Sequence, residues 1–258
     1  MKPIEVFYHI YIPETATDNT WVWFVDQQLS LIKESKLNQS AKINAAITMP
    51  VFLMGIRGAA FLSNNHPQTP INFAGKVIEY INARYPFVNI LNIRDCNDHN
   101  LFEAQTLRFL YDRCLQDDSN VLYIHTKGMY SNCVGPSISN WREILNYYCI
   151  SQWKSCIDIL ENNNYDVVGV KDHADGKVIS GNFWWAKSSY IKTLINPIEN
   201  EGVRPDTVSN RYHLELWIVS NRPSVYYIAD TKTNHYSQYC FLEDLISANK
   251  NIDTVAKM

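Results

Sequence analysis

The sequence predicts an α/β fold in which helices cover both faces of a central, mostly parallel sheet. Strand-like and helix-like segments alternate through roughly the first 125 residues, as expected of parallel strands, which need crossover helices. In the third helix the apolar residues recur at helical spacing: Leu107, Leu110, Tyr111, Cys114 and Leu115. We therefore predict a doubly wound α/β/α sandwich.

The elements of the first half follow from composition and capping. Strands are predicted where β-branched and aromatic residues concentrate, at 4–12, 42–52, 87–93 and 121–124. Asp18 or Asn19 can cap a helix that runs towards Leu37. A second helix is predicted at 73–84 and a third after Asn100.

The second half is less regular. Asn140 is predicted to cap a long helix reaching Leu160, because Glu143 follows three residues later as in a capping box. Further strands are predicted at 165–170, 178–185 and 225–229, and further helices at 188–195 and 214–219.

Composition limits the class of protein. With 258 residues, 46% of them hydrophobic, and no linker-like segment, the chain is predicted to form a single domain. A net charge of -3 gives no global footprint for nucleic acid or anionic membrane. No apolar stretch is long enough to span a bilayer, and the six cysteines show no metal-ligand spacing. We expect a soluble, cytoplasmic protein with reduced thiols.

Three polar residues follow the fourth predicted strand. His125, Thr126 and Lys127 come directly after it, and ligands of open α/β sheets bind beyond the carboxyl ends of strands. An imidazole, a hydroxyl and an ammonium in succession suit a nucleotide diphosphate. The alternative is a lysine on a solvated loop beside a histidine with a structural role.

A second segment has the residue types that bind sugars. Amides hydrogen-bond to sugar hydroxyls and indole faces cover sugar C–H groups, which points to Gly181, Asn182, Trp184 and Trp185. We predict Gly181 and Asn182 on the donor side and the two tryptophans on the acceptor side. Some of these rings can instead be core, which is our expectation for Phe183.

These segments together resemble a known family. Residues 103–107 (EAQTL), 121–128 (VLYIHTKG), Trp141-Arg142 and 180–187 (SGNFWWAK) resemble, in this order, segments of bacterial and viral glycosyltransferases related to rhamnan-synthesis enzymes. The similarity spans roughly 103–217. It implies a GT-A-like (Rossmann-like) fold and a hexosyl- or deoxyhexosyltransferase of polysaccharide biosynthesis. A nucleotide-sugar donor would bind to residues 1–128, and a glycan or glycoconjugate acceptor to residues 129–258.

The resemblance also implies a base and acceptor contacts. An inverting transferase needs a carboxylate to accept the acceptor hydroxyl's proton, and Glu215 follows the GNFWW segment where related enzymes carry an acid. Asp172 and His173 are predicted to line the acceptor cleft, or to form only a turn. A surface glutamate without a role is the alternative for Glu215.

The remaining donor contacts surround the first and fourth strands. Tyr11 can stack on a base, whereas His9 is expected to be a buried structural residue. Arg108 and Arg142 lie on helices flanking the HTKG segment, where either can bind phosphate or pair at the surface.

A metal is an open question. Well-understood GT-A enzymes carry an Asp-x-Asp motif here that holds Mn²⁺ or Mg²⁺, whereas this chain has His-Thr-Lys. His125 and His235 are the possible ligands that the resemblance suggests, since histidine can bind Mn²⁺. Asp95 and Asp98, just beyond the third strand, are further candidates for a cation at the donor, or a plain polar loop.

Two other functions fit the same pattern. A nucleotidyltransferase is disfavoured because residues 10–20 contain no glycine and so no Gly-rich phosphate loop. A non-catalytic sugar- or partner-binding domain that has lost its metal carboxylates remains an alternative.

Overall fold

A computed structural model of the chain describes residues 1–13, 15–49, 73–95, 103–129, 136–171, 178–198, 209–235 and 238–255. The strands are β1 (Ile4–Tyr11), β2 (Ala41–Met49), β3 (Val88–Asp95), β4 (Asn120–His125), β5 (Val167–Lys171), β6 (Ile179–Lys187) and β7 (Val225–Asp230). The helices are α1 (Asp18–Glu34), α2 (Phe73–Arg84), α3 (Ala104–Gln116), α4 (Pro136–Asn146), α5 (Trp153–Asn162), α6 (Ser188–Ile191), α7 (Ser209–Trp217) and α8 (Leu242–Val255).

All seven strands form one sheet in the order β3-β2-β1-β4-β6-β5-β7. Neighbouring strands are parallel except where β6 pairs with β4 and β5 in antiparallel fashion. The chain moves outward from β1 through β2 to β3, and α3 then returns it to β4 on the other side of β1. The strand order thus reverses between β1 and β4, which is where open α/β sheets bind ligands.

The sheet is buried on both faces. One face, here called the α1 face, packs residues such as Tyr8, Ile10 and Trp185 against α1, α2, α4 and α5. The opposite α3 face packs Tyr123 and Trp184 against α3 and α7. The predicted α/β/α sandwich with a central, mostly parallel sheet, of the GT-A-like (Rossmann-like) class, is confirmed.

Helix starts were the least accurate part of the prediction. The cap of α1 is Thr17 rather than Asp18 or Asn19, because the Thr17 hydroxyl accepts from the N–H of Thr20 at 3.3 Å. Asn140 lies inside α4, which begins at Pro136, and its side-chain oxygen accepts instead from the N–H of Cys240 at 3.0 Å.

The long helix predicted after Asn140 is interrupted. A π-helical segment, Tyr147–Ser151, separates α4 from α5. The C-terminal helix α8 was not predicted. Within the described ranges, no helix is both long and apolar enough to cross a membrane.

Candidate functional site

The segment after β4 is tied to the end of β1 by Thr126. Its hydroxyl accepts from the N–H of Tyr11 at 2.9 Å and donates to the Tyr11 carbonyl at 3.1 Å. Thr126 is only 4% exposed and its hydroxyl is engaged in these two bonds, so its contact with the donor stays a prediction. The hydroxyl sets the spacing of β1 and β4 where the strand order reverses, with the half-buried Tyr11 at this edge.

His125 is oriented by Gly181, near the start of β6. Its Nε2 lies 2.8 Å from the carbonyl oxygen of Gly181, and because a carbonyl only accepts, Nε2 carries the proton and donates. Gly181 has a φ of +61°, and a Cβ there would lie 2.4 Å from Leu145 Cδ1. Glycine is thus required to present this carbonyl to the imidazole.

Glu103 is the centre of a buried hydrogen-bond network on the α3 face. Its carboxylate accepts from the hydroxyl of Tyr123 at 2.7 Å and from the Nδ2 of Asn182 at 2.8 Å. The Oδ1 of Asn182 accepts from the indole N–H of Trp184 at 2.8 Å. The amide that was predicted to contact the donor is therefore bonded within the protein and Asn182 is 3% exposed, so that contact stays a prediction.

His9 lies beside this network. Its Nδ1 is 2.8 Å from the hydroxyl of Thr106 on α3. Burial lowers the pKa of His9 to about 4, and nearby His125 adds to the effect while Glu103 opposes it. The imidazole is therefore neutral at pH 7, and the expected structural role of His9 is confirmed.

Glu215 faces the same region from α7. Burial raises the pKa of Tyr123 well above its ordinary value, and the carboxylates of Glu103 and, to a smaller extent, Glu215 raise it further. An electrostatic effect of this kind requires the Glu215 carboxylate to be near the Tyr123 phenol. The predicted base thus shares the α3 face with Glu103, and it lies in the last turn of α7 rather than at the helix start.

Lys127 lies against an aromatic stack. Its ammonium is 4.0 Å from the ring centroid of Trp141, a cation–π contact. The indole of Trp141 also stacks on His235, with centroids 5.3 Å apart, and donates to the hydroxyl of Ser180 at 2.8 Å. With Lys127 only 6% exposed, the alternative of a lysine on a solvated loop is wrong.

Arg142 hydrogen-bonds to the backbone of the His-Thr-Lys segment. Its guanidinium is fully buried, donating from Nη1 to the Lys127 carbonyl at 2.8 Å and from Nε to the Oε1 of Gln27 at 2.6 Å. Burial lowers the pKa of Arg142 to about 10, so the group stays charged at pH 7. Arg142 therefore fixes the backbone at Lys127. It neither reaches a phosphate nor pairs at the surface, which were the two alternatives predicted for it.

Comparison with known proteins identifies the family. A family model described as "Domain of unknown function (DUF8361)" matches residues 7–207. The chain belongs to this family. The DUF8361 match contains Glu103, His125, Asn182 and the rest of the buried network, and it ends before Glu215 and His235.

Other comparisons are less informative than the DUF8361 match. One similar solved structure is a 4-diphosphocytidyl-2C-methyl-D-erythritol synthase from Anaerococcus prevotii DSM 20548. It is 10% identical, with 98% of this chain and 96% of that chain covered, at a TM-score of 0.42. No curated protein matches the sequence.

The two adjacent tryptophans of this DUF8361 member were assigned incorrectly. Trp184 and Trp185 are both fully buried, Trp184 on the α3 face and Trp185 on the α1 face. The indole of Trp185 donates to the carbonyl of Cys149 at 2.8 Å. Because helices cover both faces of the sheet, neither ring can contact an acceptor, whereas the core position expected for Phe183 is confirmed.

Other predicted contacts are displaced or lie outside the description. Arg108 is on the exposed side of α3, where it pairs with Asp112 at 3.4 Å, so the structure favours the surface-pairing alternative over a donor contact. Asp95 ends β3, but its side chain is outside the described part. Asp98, Asp172 and His173 lie outside the described residues.

The described residues do not form a metal centre. Among them, no group of three or more His, Cys, Asp or Glu side chains is placed to hold a metal ion. His125 donates its Nε2 proton to a carbonyl, and His235 is 1% exposed, with Nε2 2.9 Å from the hydroxyl of Thr231. The Nε2 atoms of both rings are thus engaged within the protein, and metal binding by this pair stays a prediction.

Sequence reasoning missed Glu103 as a site residue. Glu103 and Thr106 occur together in the EAQTL segment that supported the family resemblance, so the signal was present. Their partners Asn182 and His9 are 79 and 97 residues away in the sequence, and spacing does not reveal such contacts.

Proposed function

We propose that this chain is a glycosyltransferase that moves a sugar from a nucleoside-diphosphate-sugar donor to a glycan or other acceptor hydroxyl. The observation that carries the proposal is the position of the His-Thr-Lys segment, at the carboxyl end of β4 where the strand order reverses. The antiparallel β6 adds Gly181 and Asn182 to the same edge of the sheet.

The donor is proposed to bind across the ends of β1 and β4. The Lys127 ammonium supplies positive charge to the diphosphate, and its backbone is fixed by the buried Arg142. Tyr11, at the end of β1, is proposed to stack on the nucleobase of the donor. His125, oriented by Gly181, adds a polar group at the same edge.

Glu215 is proposed as the base of an inverting transfer. Its carboxylate takes the proton of the acceptor hydroxyl while that oxygen bonds to the anomeric carbon. The bond from the anomeric carbon to the diphosphate oxygen breaks, and the nucleoside diphosphate leaves with the electron pair. Glu103 is a positioning residue, because both carboxylate oxygens are bonded to Tyr123 and Asn182.

The test of the donor site compares two lysines that both lie over tryptophan rings. Purified protein is incubated with UDP-, GDP-, dTDP- and CMP-sugars, with Mn²⁺ or with chelator, and nucleotide release and binding are measured. Lys127→Ala is expected to weaken donor binding about 10- to 100-fold, because a charged contact is lost. Lys154→Ala, which removes an exposed lysine over Trp153, is the control and should bind as wild type.

The outcomes separate an enzyme from a binding domain. Binding without turnover across donors and acceptors would indicate a non-catalytic sugar-binding domain. Unchanged donor affinity of the Lys127→Ala protein would exclude Lys127 from the site.

The base is tested independently. Glu215→Gln should lower kcat about 10²- to 10⁴-fold with donor affinity retained, since only proton transfer is removed. Turnover at the wild-type rate would remove Glu215 from the mechanism.

A further inference from the structure

A groove lies on the outer side of α1, apart from the proposed donor site. It has a volume of about 360 Å³ and is lined by Trp23, Asp26, Gln27, Ser30, Leu31 and Glu34 of α1 and by Arg84 at the end of α2. We call it the Trp23 groove.

The aromatic wall of the groove is an indole that remains 43% exposed. Trp23 packs edge-on against Phe24, with ring centroids 4.9 Å apart, and the guanidinium carbon of Arg142 lies 4.8 Å from its ring. Packing and the cation–π contact hold the indole in one orientation. It is thus a fixed apolar platform, beside Leu31, in a groove whose other lining residues are polar.

The polar wall is also fixed in place. Asp26 accepts from the hydroxyls of Tyr80 at 2.8 Å and Tyr85 at 2.7 Å, and lies 3.3 Å from Arg84. Gln27 is held through its Oε1 by Arg142. Little side-chain entropy is therefore lost when a ligand is bound beside them.

The chemistry of the lining indicates its ligand. A rigid indole covers the C–H face of a sugar ring, while carboxylate and amide groups hydrogen-bond to its hydroxyls. Formal charges in the lining are -1 for Asp26, -1 for Glu34 and +1 for Arg84, a sum of -1 that disfavours phosphates and uronates. We infer that the Trp23 groove binds a neutral saccharide.

The groove is separated from the proposed donor site by one side chain. Arg142 contacts both Trp23 and Gln27 in the groove and donates to the carbonyl of Lys127. The Trp23 end of the groove therefore lies near the edge of the sheet where transfer is proposed, while Glu34 and Arg84, at the ends of α1 and α2, lie towards the opposite edge. Resting on the proposed function, the groove is a docking subsite for the acceptor glycan.

The experiment measures saccharide binding without any donor. Maltohexaose, laminarihexaose, cellohexaose and mannohexaose are tested by titration calorimetry and saturation-transfer NMR, with hexagalacturonate as the charged comparison. At least one neutral hexasaccharide should bind, and Trp23→Ala should weaken it at least about tenfold, because the platform is lost. Tyr239→Ala removes an aromatic ring of similar exposure (49%) outside the groove and should bind as wild type.

A second variant guards against structural effects of losing the indole. Glu34→Gln changes an exposed side chain that only lines the groove, and a severalfold loss of affinity with unchanged thermal stability is expected. The inference fails if no neutral hexasaccharide binds, if Trp23→Ala binds as wild type, or if hexagalacturonate binds most tightly. Saccharide binding without turnover of any nucleotide sugar would support the groove while overturning the proposed activity.

Discussion

At the residue scale, Asn182 combines an unusual backbone conformation with a buried amide. Its φ is +55°, and its amide joins Glu103 to the indole N–H of Trp184. Asparagine suits both requirements, because it adopts left-handed backbone more readily than most residues and offers a donor and an acceptor. The residue thus links the start of β6 to the start of α3.

Replacing this amide should be costly. Asn182→Ala is expected to lower the free energy of unfolding by about 3–5 kcal/mol, from left-handed strain and from leaving one oxygen of the buried Glu103 carboxylate and an indole N–H unbonded. The matched control is Asn164→Ala, because Asn164 has a φ of +57° but is exposed. Asn164→Ala should lower the free energy of unfolding, measured by chemical denaturation, by only about 1 kcal/mol. Equal losses in the two variants would mean that the buried amide contributes nothing.

His9 should make stability depend on pH. Its folded pKa of about 4 is below its ordinary value of 6.5, so between these pH values the unfolded chain binds the extra proton. Neutral His9 therefore contributes about 3 kcal/mol to the free energy of unfolding. This contribution is complete above pH 6.5 and is lost as the pH falls to about 4.

The measurement is urea unfolding between pH 7 and pH 4. His9→Gln, which keeps a polar partner for Thr106, should flatten the dependence. His213→Gln, at an exposed position on α7, should keep the wild-type slope. An unchanged slope for His9→Gln would show that other groups cause the acid sensitivity.

At the scale of elements, the entry into β6 packs closely against α4 at Gly181 and Leu145. Gly181 has positive φ, and the methyl of Leu145 occupies the place of its missing Cβ. The close approach brings the Gly181 carbonyl within hydrogen-bonding distance of the His125 Nε2. It brings the Ser180 hydroxyl within hydrogen-bonding distance of the Trp141 indole N–H. The position of β6 on α4 therefore sets the orientation of both rings at the proposed site.

Gly181→Ala should disturb this approach. A methyl group 2.4 Å from Leu145 Cδ1 cannot be accommodated without movement. We expect a loss of about 2–4 kcal/mol in unfolding free energy, from overlap and from backbone strain together. Combining it with Leu145→Ala removes the overlap, so the two changes should be less than additive. Strict additivity in thermal and urea unfolding would exclude the close contact as the cause.

At the scale of the whole molecule, one sheet joins the two halves of the chain. β4 from residues 1–128 pairs with β6 from residues 129–258, and the cores on both faces contain side chains of both halves. The halves proposed for donor and acceptor therefore share their hydrophobic cores rather than forming separate units.

The predicted single domain should unfold as one unit. Scanning calorimetry is expected to show one transition with equal calorimetric and van't Hoff enthalpies, since neither half can bury its apolar surface alone. Residues 1–128 expressed separately should lack cooperative unfolding. Two resolved transitions in the intact chain would instead indicate two domains.

The sequence by itself determined the succession of strands and helices from β1 to β7, apart from the break between α4 and α5, and the limits of α2, because periodicity and strand composition are local properties. Only the tertiary structure decided the reversed direction of β6 and the meeting of Glu103 with Asn182, since these depend on long-range pairing. It also decided which tryptophans are accessible. Trp184 and Trp185 lie on a strand covered on both faces, whereas Trp23 lies on the outer side of α1, and identical side chains carry no local signal of that difference.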